Sequence, residues 1–186
     1  PVWRAALRPE GDAQLRAVGH YWERLVSGYD VPHVAARARP KGGKVRLGVV
    51  SANMRDNGIG RWIAGLVRAI DRDRFDITVI RPPLGEDDIT ARIDAEADLV
   101  VPLPLDPLHS ARVIAGLDLD VLHYVDPQAD AYTMLLASWR LAPLQIAGGG
   151  IAATTGLSNI DCHLIAEDWE TAGGETRFSE ELIRLP

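Results

Sequence analysis

One cysteine, Cys162, stands in 186 residues, so no intramolecular disulfide can form. A lone thiol fits a reducing compartment. Its neighbours Cys-His-Leu place it in a buried strand as a small hydrophobe. No apolar run is long enough to cross a membrane and no leader-like segment opens the chain, so the expected location is the cytoplasm. Positive charge is short: 20 Lys and Arg against 26 Asp and Glu argue against a nucleic-acid or anionic-membrane surface. The basic excess is confined to residues 1–44, which hold Arg37, Arg39, Lys41 and Lys44. That run reads as a solvated linker or as a phosphate site. The G-x-G-x-x-G fingerprint of dinucleotide folds is missing, and the second strand closes on Arg81-Pro82 where such folds carry an acid. That arginine is only a thin hint of a 2′-phosphate. No histidine pair has HExxH spacing, and no metal is expected.

What is present is an alternation. Asp12 can cap a helix with apolar residues at Leu15, Val18, Trp22, Leu25 and Val26. Pro32 and the stretch 40–44 then read as linker. Continuous apolar runs follow at 45–52, 76–81, 99–103, 121–125, 144–148 and 162–167. Helical patterns lie between them near 60–70, 87–96, 107–116 and 130–140. Strands that are apolar throughout belong to a sheet covered on both faces. Strand–helix alternation implies right-handed crossovers, so the fold class is α/β with a doubly wound, mostly parallel sheet. The division is residues 1–44, helix and linker, then 45–186, a Rossmann-like domain.

In such a sheet ligands bind outside the carboxyl ends of the strands. Three loops fall there: 53–60, 126–130 and 148–156. Each joins glycine or proline to small polar side chains, so backbone N–H groups could approach an anion or a sugar. Each could equally be a turn, though three glycines followed by Thr154 and Thr155 favour a site in the third. The pair Asp118 and Asp120 spells the DxD of metal-dependent glycosyltransferases. It precedes a strand, at the amino end of the sheet, and reads as a solvated turn. His123 and His163 lie inside strands as core residues, and His109 begins a helix.

The segments VRLGVVSANMRDN (45–57), RLAPLQ (140–145), GIAATTG (150–156), ID (160–161) and RFSEELIRLP (177–186) together resemble the O-linked N-acetylglucosamine transferase/SPINDLY family, glycosyltransferase family 41. The resemblance is to the N-terminal half of its catalytic region. It implies a GT-B architecture in which this half supplies the acceptor side. Tetratricopeptide repeats upstream and a second Rossmann-like, nucleotide-binding domain downstream are implied in the full chain. It also implies inverting, metal-independent transfer from a nucleotide sugar, a UDP-sugar in the family, to a protein acceptor, with no cofactor.

The family's residues carry over unevenly. His20, in GHYWERL, resembles the histidine before the tryptophan of the linker helix and falls opposite the Leu15/Val18/Trp22/Leu25 stripe, either as a catalytic candidate or as a solvated side chain. Asn57 stands at the family's first-loop histidine and cannot shuttle a proton near neutral pH. Ile59 stands where a small hydroxyl residue is common. Gly148 replaces an aromatic, and Ile151-Ala152 replace a histidine- or tyrosine-proline. Gly58, Asp126, Gly149, Gly150, Thr154 and Thr155 are the implied substrate- and donor-binding residues. The altered loops leave open a non-catalytic relative that binds a protein partner. A stand-alone Rossmann-like nucleotide binder or oxidoreductase is the remaining alternative.

Overall fold

Every apolar run identified above forms a strand. In the computed structural model, which describes residues 11–35, 37, 42–83, 85–170 and 173–186, these are β1 (Val45–Val50), β2 (Phe75–Arg81), β3 (Leu99–Pro102), β4 (Val121–Tyr124), β5 (Leu144–Gly148) and β6 (Cys162–Ala166). A seventh strand, β7 (Glu181–Leu185), went unread. The sheet order is β3-β2-β1-β4-β5-β6-β7, and every pairing is parallel. The doubly wound parallel sheet is therefore what the alternation predicts. β7 was missed because ELIRL alternates, half-buried residues between exposed ones, as an edge strand does.

The helices are α1 (Gly11–Val26), α2 (Gly58–Ala69), α3 (Asp88–Ala95), α4 (Pro107–Gly116) and α5 (Ala131–Ala137). Four start on a side chain that satisfies a free N–H group. Asn57 accepts from Gly60, Asp87 from Ile89 and Thr90, Asp106 from Leu108, and Asp130 from Thr133. α5 stops earlier than its pattern suggests, at the Ser138 C-cap, whose carbonyl accepts from the Asn159 side chain at 2.6 Å.

Alternate residues of each central strand feed two cores. Leu47 and Val49 pack with Ile63 and Val67 of α2 and Ile93 of α3. Val50, Leu122 and Tyr124 pack with Ile114 of α4, Leu136 of α5 and Val26 of α1. The helices thus leave β1 toward β2 on one face and return past β4 on the other. That reversal puts the topological switch point between β1 and β4.

α1 corrects the expected apolar stripe. Val18 and Leu25 are exposed, while Leu15, Gly19 and Val26 are buried. The reason is a backbone contact: a Cβ on Gly19 would stand 2.2 Å from the carbonyl oxygen of Gly156. The helix rolls to bring its small residue against the third loop, and the larger Val18 turns outward. Arg16 completes the docking by donating to the Thr176 and Arg177 carbonyls, each at 3.4 Å. Asp12 pairs with Arg177 at 3.6 Å.

The basic run also resolves. Arg37 pairs with Asp118, and Lys44 with Asp76 at 3.3 Å, whereas Arg39 and Lys41 lie outside the described residues. Cys162 sits in β6 but is half-buried, not buried. No helix among the described residues is long and apolar enough to cross a membrane. Because the atoms facing Gly19 are backbone and cannot rotate away, Gly19→Val should cost about 2 kcal/mol of stability. Urea unfolding followed by circular dichroism measures it.

Candidate functional site

The three loops converge at the switch point. Ser51 and Asn53 follow β1, and Asp126 follows β4. The Asn53 side-chain amide donates to Asp126 Oδ2 at 2.5 Å, tying the first loop to the second. The third loop closes over them: Gly150 N donates to the Val125 carbonyl at 3.0 Å, and Gln128 donates to the Ala153 carbonyl at 2.7 Å. A Cβ on Gly150 would lie 2.8 Å from the Cβ of Asp126, so the loop backbone rests directly on that residue.

Asp126 is wholly buried, and its Oδ1 has no hydrogen-bond partner. Burial pushes its carboxyl up to about 6, although the Ser51 and Asn53 side chains favour the charged form. Among the described residues, four of the seven buried side-chain polar atoms left without a partner belong to Asp126, Gln128, Asp130 and Thr133. They come from the short stretch just beyond β4. Buried polar atoms are normally satisfied, so this concentration marks a place with hydrogen bonds still to make.

The third loop is pinned along its length. His123 is buried and its Nε2 donates to the Gly148 carbonyl at 2.7 Å, while burial pushes its pKa down to about 4 and keeps it neutral. Gly149 has φ +98°, and its missing Cβ leaves room for the Trp62 indole of α2. His163, held below its usual range chiefly by burial, donates from Nε2 to the Ile151 carbonyl at 3.1 Å and stacks at a tilt on Phe178. Ile151 and Ala153 pack on Leu15 of α1.

The strongest hold is Glu180, 6% exposed. It accepts from the Thr154 hydroxyl and the Thr155 N–H, both at 2.7 Å, and also from the Thr155 hydroxyl. Past the loop, Glu23 of α1 accepts from Ser158 through its N–H at 2.5 Å and its hydroxyl at 2.7 Å.

The sites predicted from sequence divide accordingly. Asp126, Gly149 and Gly150 come together. Thr154 and Thr155 are buried with their hydroxyls turned to Glu180. Asn57 is the N-cap of α2; its Oδ1 accepts from Gly60, and its Nδ2 donates to the Asn53 carbonyl at 3.2 Å. Gly58 stands beside it in open space. His20 is on the exposed side of α1, as its helical position predicts, with Nδ1 3.3 Å from Glu23.

Sequence reasoning missed Ser51, Asn53, Glu23 and Glu180. Only Asn53 carried a local signal, as a polar residue just past a strand end. Two decoys are explained. Asp118 and Asp120 bind Arg46 at the amino end of β1 and β4. Arg81 is enclosed by Asp94 and Glu86, at 2.8 and 2.9 Å, so its charge is neutralised within the fold. Among the described residues no three His, Cys, Asp or Glu side chains gather to hold a metal ion.

Two outcomes follow from these environments. Glu180→Ala strands the Thr154 and Thr155 hydroxyls and the Thr155 N–H and should cost about 3 kcal/mol, against about half that for Glu180→Gln, which keeps one acceptor; chemical denaturation reads both. For Asp126 the raised pKa disfavours the charged form in the folded state. Its stabilising contribution is complete below about pH 4 and is lost as pH rises through about 6. Asp126→Asn should therefore gain on the native protein by on the order of 2 kcal/mol between pH 4 and pH 7. Unfolding free energies of both proteins across that range test the sign.

The fold matches a solved Thermobaculum terrenum O-GlcNAc transferase variant with TM-score 0.75 and 21% identity, over 92% of this chain and 34% of that one. The chain thus spans about a third of the length of that protein. No protein-family model and no curated protein matches the sequence. The likeness shows a shared fold: a seven-stranded parallel sheet with helices on both faces, as in that transferase.

Proposed function

We propose that this chain is the acceptor-side half of a protein glycosyltransferase that moves a sugar from a nucleotide-sugar donor to a protein side chain. The observation that carries the reading is Asp126: a buried carboxylate at the switch point of the sheet, with Oδ1 free, roofed by the glycine turn at 149–150. Support comes from the fold shared with an O-GlcNAc transferase and from the motif order quoted above.

In this reading Asp126 Oδ1 accepts a hydrogen bond from a hydroxyl of the acceptor or the sugar. A carboxyl with pKa about 6 can also take up the proton that the attacking hydroxyl releases. Displacement of the nucleotide by that hydroxyl inverts the anomeric carbon. The departing diphosphate needs positive charge and helix N–H groups close by. Arg46 and Arg81 are both engaged in ion pairs elsewhere. In this reading a second Rossmann-like, nucleotide-binding domain provides that charge. The donor is a UDP-sugar, and no metal takes part. Tetratricopeptide repeats ahead of α1 would present the protein acceptor, and the setting is cytoplasmic.

His20 acts through Glu23, which holds Ser158 just past the third loop. Asn57, as an N-cap, orders α2 and does not transfer a proton. That last point favours one second reading, a relative that has kept the fold and binds a protein without turnover. The complete transferase, incubated with a panel of nucleotide sugars and cell lysate and read by intact-protein mass, should give a sugar-sized mass shift. Asp126→Ala should lower the rate at least 100-fold, and His20→Ala less. No mass shift with any donor would leave the binding-module reading in its place.

A further inference from the structure

Asp126 is sealed from the hydroxyl it would serve. The residue is wholly buried, yet Oδ1 has no partner, so a substrate reaches that oxygen only if a covering segment moves. Three segments cover it. The first loop is tied down: Asn53 N donates to Ser51 Oγ at 2.9 Å, and Asn57 Nδ2 donates to the Asn53 carbonyl at 3.2 Å. The second runs straight into α5, where Asp130 accepts from Thr133 N at 2.8 Å. The third is thinner. Gly149 and Gly150 are half-buried, so backbone without a side chain separates Asp126 from solvent there.

This glycine turn hangs between two anchored carbonyls. His123 Nε2 donates to the Gly148 carbonyl at 2.7 Å, and His163 Nε2 to the Ile151 carbonyl at 3.1 Å. Farther on, Glu180 clamps Thr154 and Thr155. Between the anchors, the Gly150 N–H to the Val125 carbonyl, 3.0 Å, ties the turn down. One neutral hydrogen bond of this kind adds little net stability. Gly148 and Gly149 have φ +116° and +98°, and no Cβ obstructs their rotation. The turn can therefore lift while both anchors hold.

Charge supplies the drive. An uncharged Asp126 suits the closed site. Once ionised, its Oδ1 is a buried anion without a donor, and such a group favours contact with water. Ser51 and Asn53 donate to the carboxyl from the first loop, and Asp130 adds a like charge from the start of α5. His123 of β4 and His163 of β6 are both held toward the neutral form, and Glu180 is engaged at the clamped end. Arg55 is exposed, and Arg61 of α2 pairs with Asp56 at 2.7 Å. None of these groups offers Asp126 a cation that would keep its charge inside.

We propose that Gly149 and Gly150 form a flap over Asp126, and that ionisation of Asp126 lifts it to admit a hydroxyl-bearing substrate. The identity of that substrate rests on the transferase reading above. Burial holds the closed-form carboxyl at about 6, above its ordinary range, so closure is strongest in acid and weakens as pH rises through 6. The shut flap belongs to the protonated form. The open flap belongs to the form that accepts a hydrogen bond.

Amide hydrogen exchange of this chain, followed by NMR and expressed as protection factors, reads the flap. Lifting frees the Gly150 N–H, whereas the Thr155 N–H stays bonded to Glu180 at 2.7 Å. Gly150 protection should fall by about 10-fold or more between pH 5 and pH 7.5 while that of Thr155 stays level. In Asp126→Asn, which keeps the size and removes the charge, the fall should vanish. Gly150 protection that is independent of pH overturns the proposal. A parallel fall at Thr155 also overturns it, because the whole loop then opens. So does a fall that persists in Asp126→Asn, which assigns it to another group. Sugar transfer by the complete protein is read apart from this. A flap that lifts in a protein without transfer removes the transferase reading and keeps the flap, and transfer with level Gly150 protection does the reverse.

Discussion

A buried carboxylate without a cation organises this molecule. Glu180 lies just before β7 and takes hydrogen bonds from Thr154 and Thr155, with the Ser179 hydroxyl at 3.3 Å from the same carboxylate. Such a charge is tolerated inside a protein only when its lone pairs are met by donors. Here the donors come from the third loop, so the loop cannot leave without exposing the charge to an unsolvated interior. The loop needs such a hold because the β5–β6 connection carries no helix to brace it. Once fixed, it sets Gly150 on Asp126 and Gly156 against α1. The roof of the candidate cleft and the seat of the N-terminal helix thus depend on one side chain from the far edge of the sheet.

The fold was legible because its signals are local and repeated. Apolar runs marked six strands, and the helical patterns between them marked α2 to α5, whose Asx caps went unread. The errors arose where two local patterns competed. α1 carries apolar residues around most of its surface, so spacing alone could not say whether Val18 or Gly19 faces inward; the close approach of Gly156 decides it. β7 carries an edge-strand alternation of exposed and half-buried residues, not the unbroken burial of the central strands. The candidate site was legible as three loops at strand ends, with Asp126 in one of them. The hydroxyls of Thr154 and Thr155 read as ligand groups because nothing nearby in sequence uses them. Their partner is 25 or 26 residues away. Asn57 is the converse case: an asparagine one residue before a helix is an N-cap by local rules, whatever a family places there.

The two buried titratable groups nearest the switch point respond to acid in opposite directions. Asp126 is held toward its neutral form, and His123 is likewise held neutral. Lowering the pH from 6.5 toward 4 relieves the cost of a buried Asp126 charge. The same change penalises a His123 that must stay unprotonated to keep its place. This pair is therefore uncharged in the mildly acidic range and carries a single negative charge above about 6. A carboxylate in that state accepts hydrogen bonds from hydroxyls, and in this fold it repels a diphosphate. That repulsion disfavours a phosphate group beside Asp126.

Two consecutive residues of the third loop face different neighbours. Gly149 lies against the Trp62 indole of α2, and Gly150 lies against Asp126. Their shared peptide is held by Gly150 N to the Val125 carbonyl and, one residue earlier, by His123 to the Gly148 carbonyl. A side chain driven against Trp62 would displace Gly149, because its positive φ leaves the indole in contact with backbone and no Cβ to yield. That displacement reaches Asp126 through one peptide plane. The two glycines therefore couple the packing of α2 to the placement of Asp126.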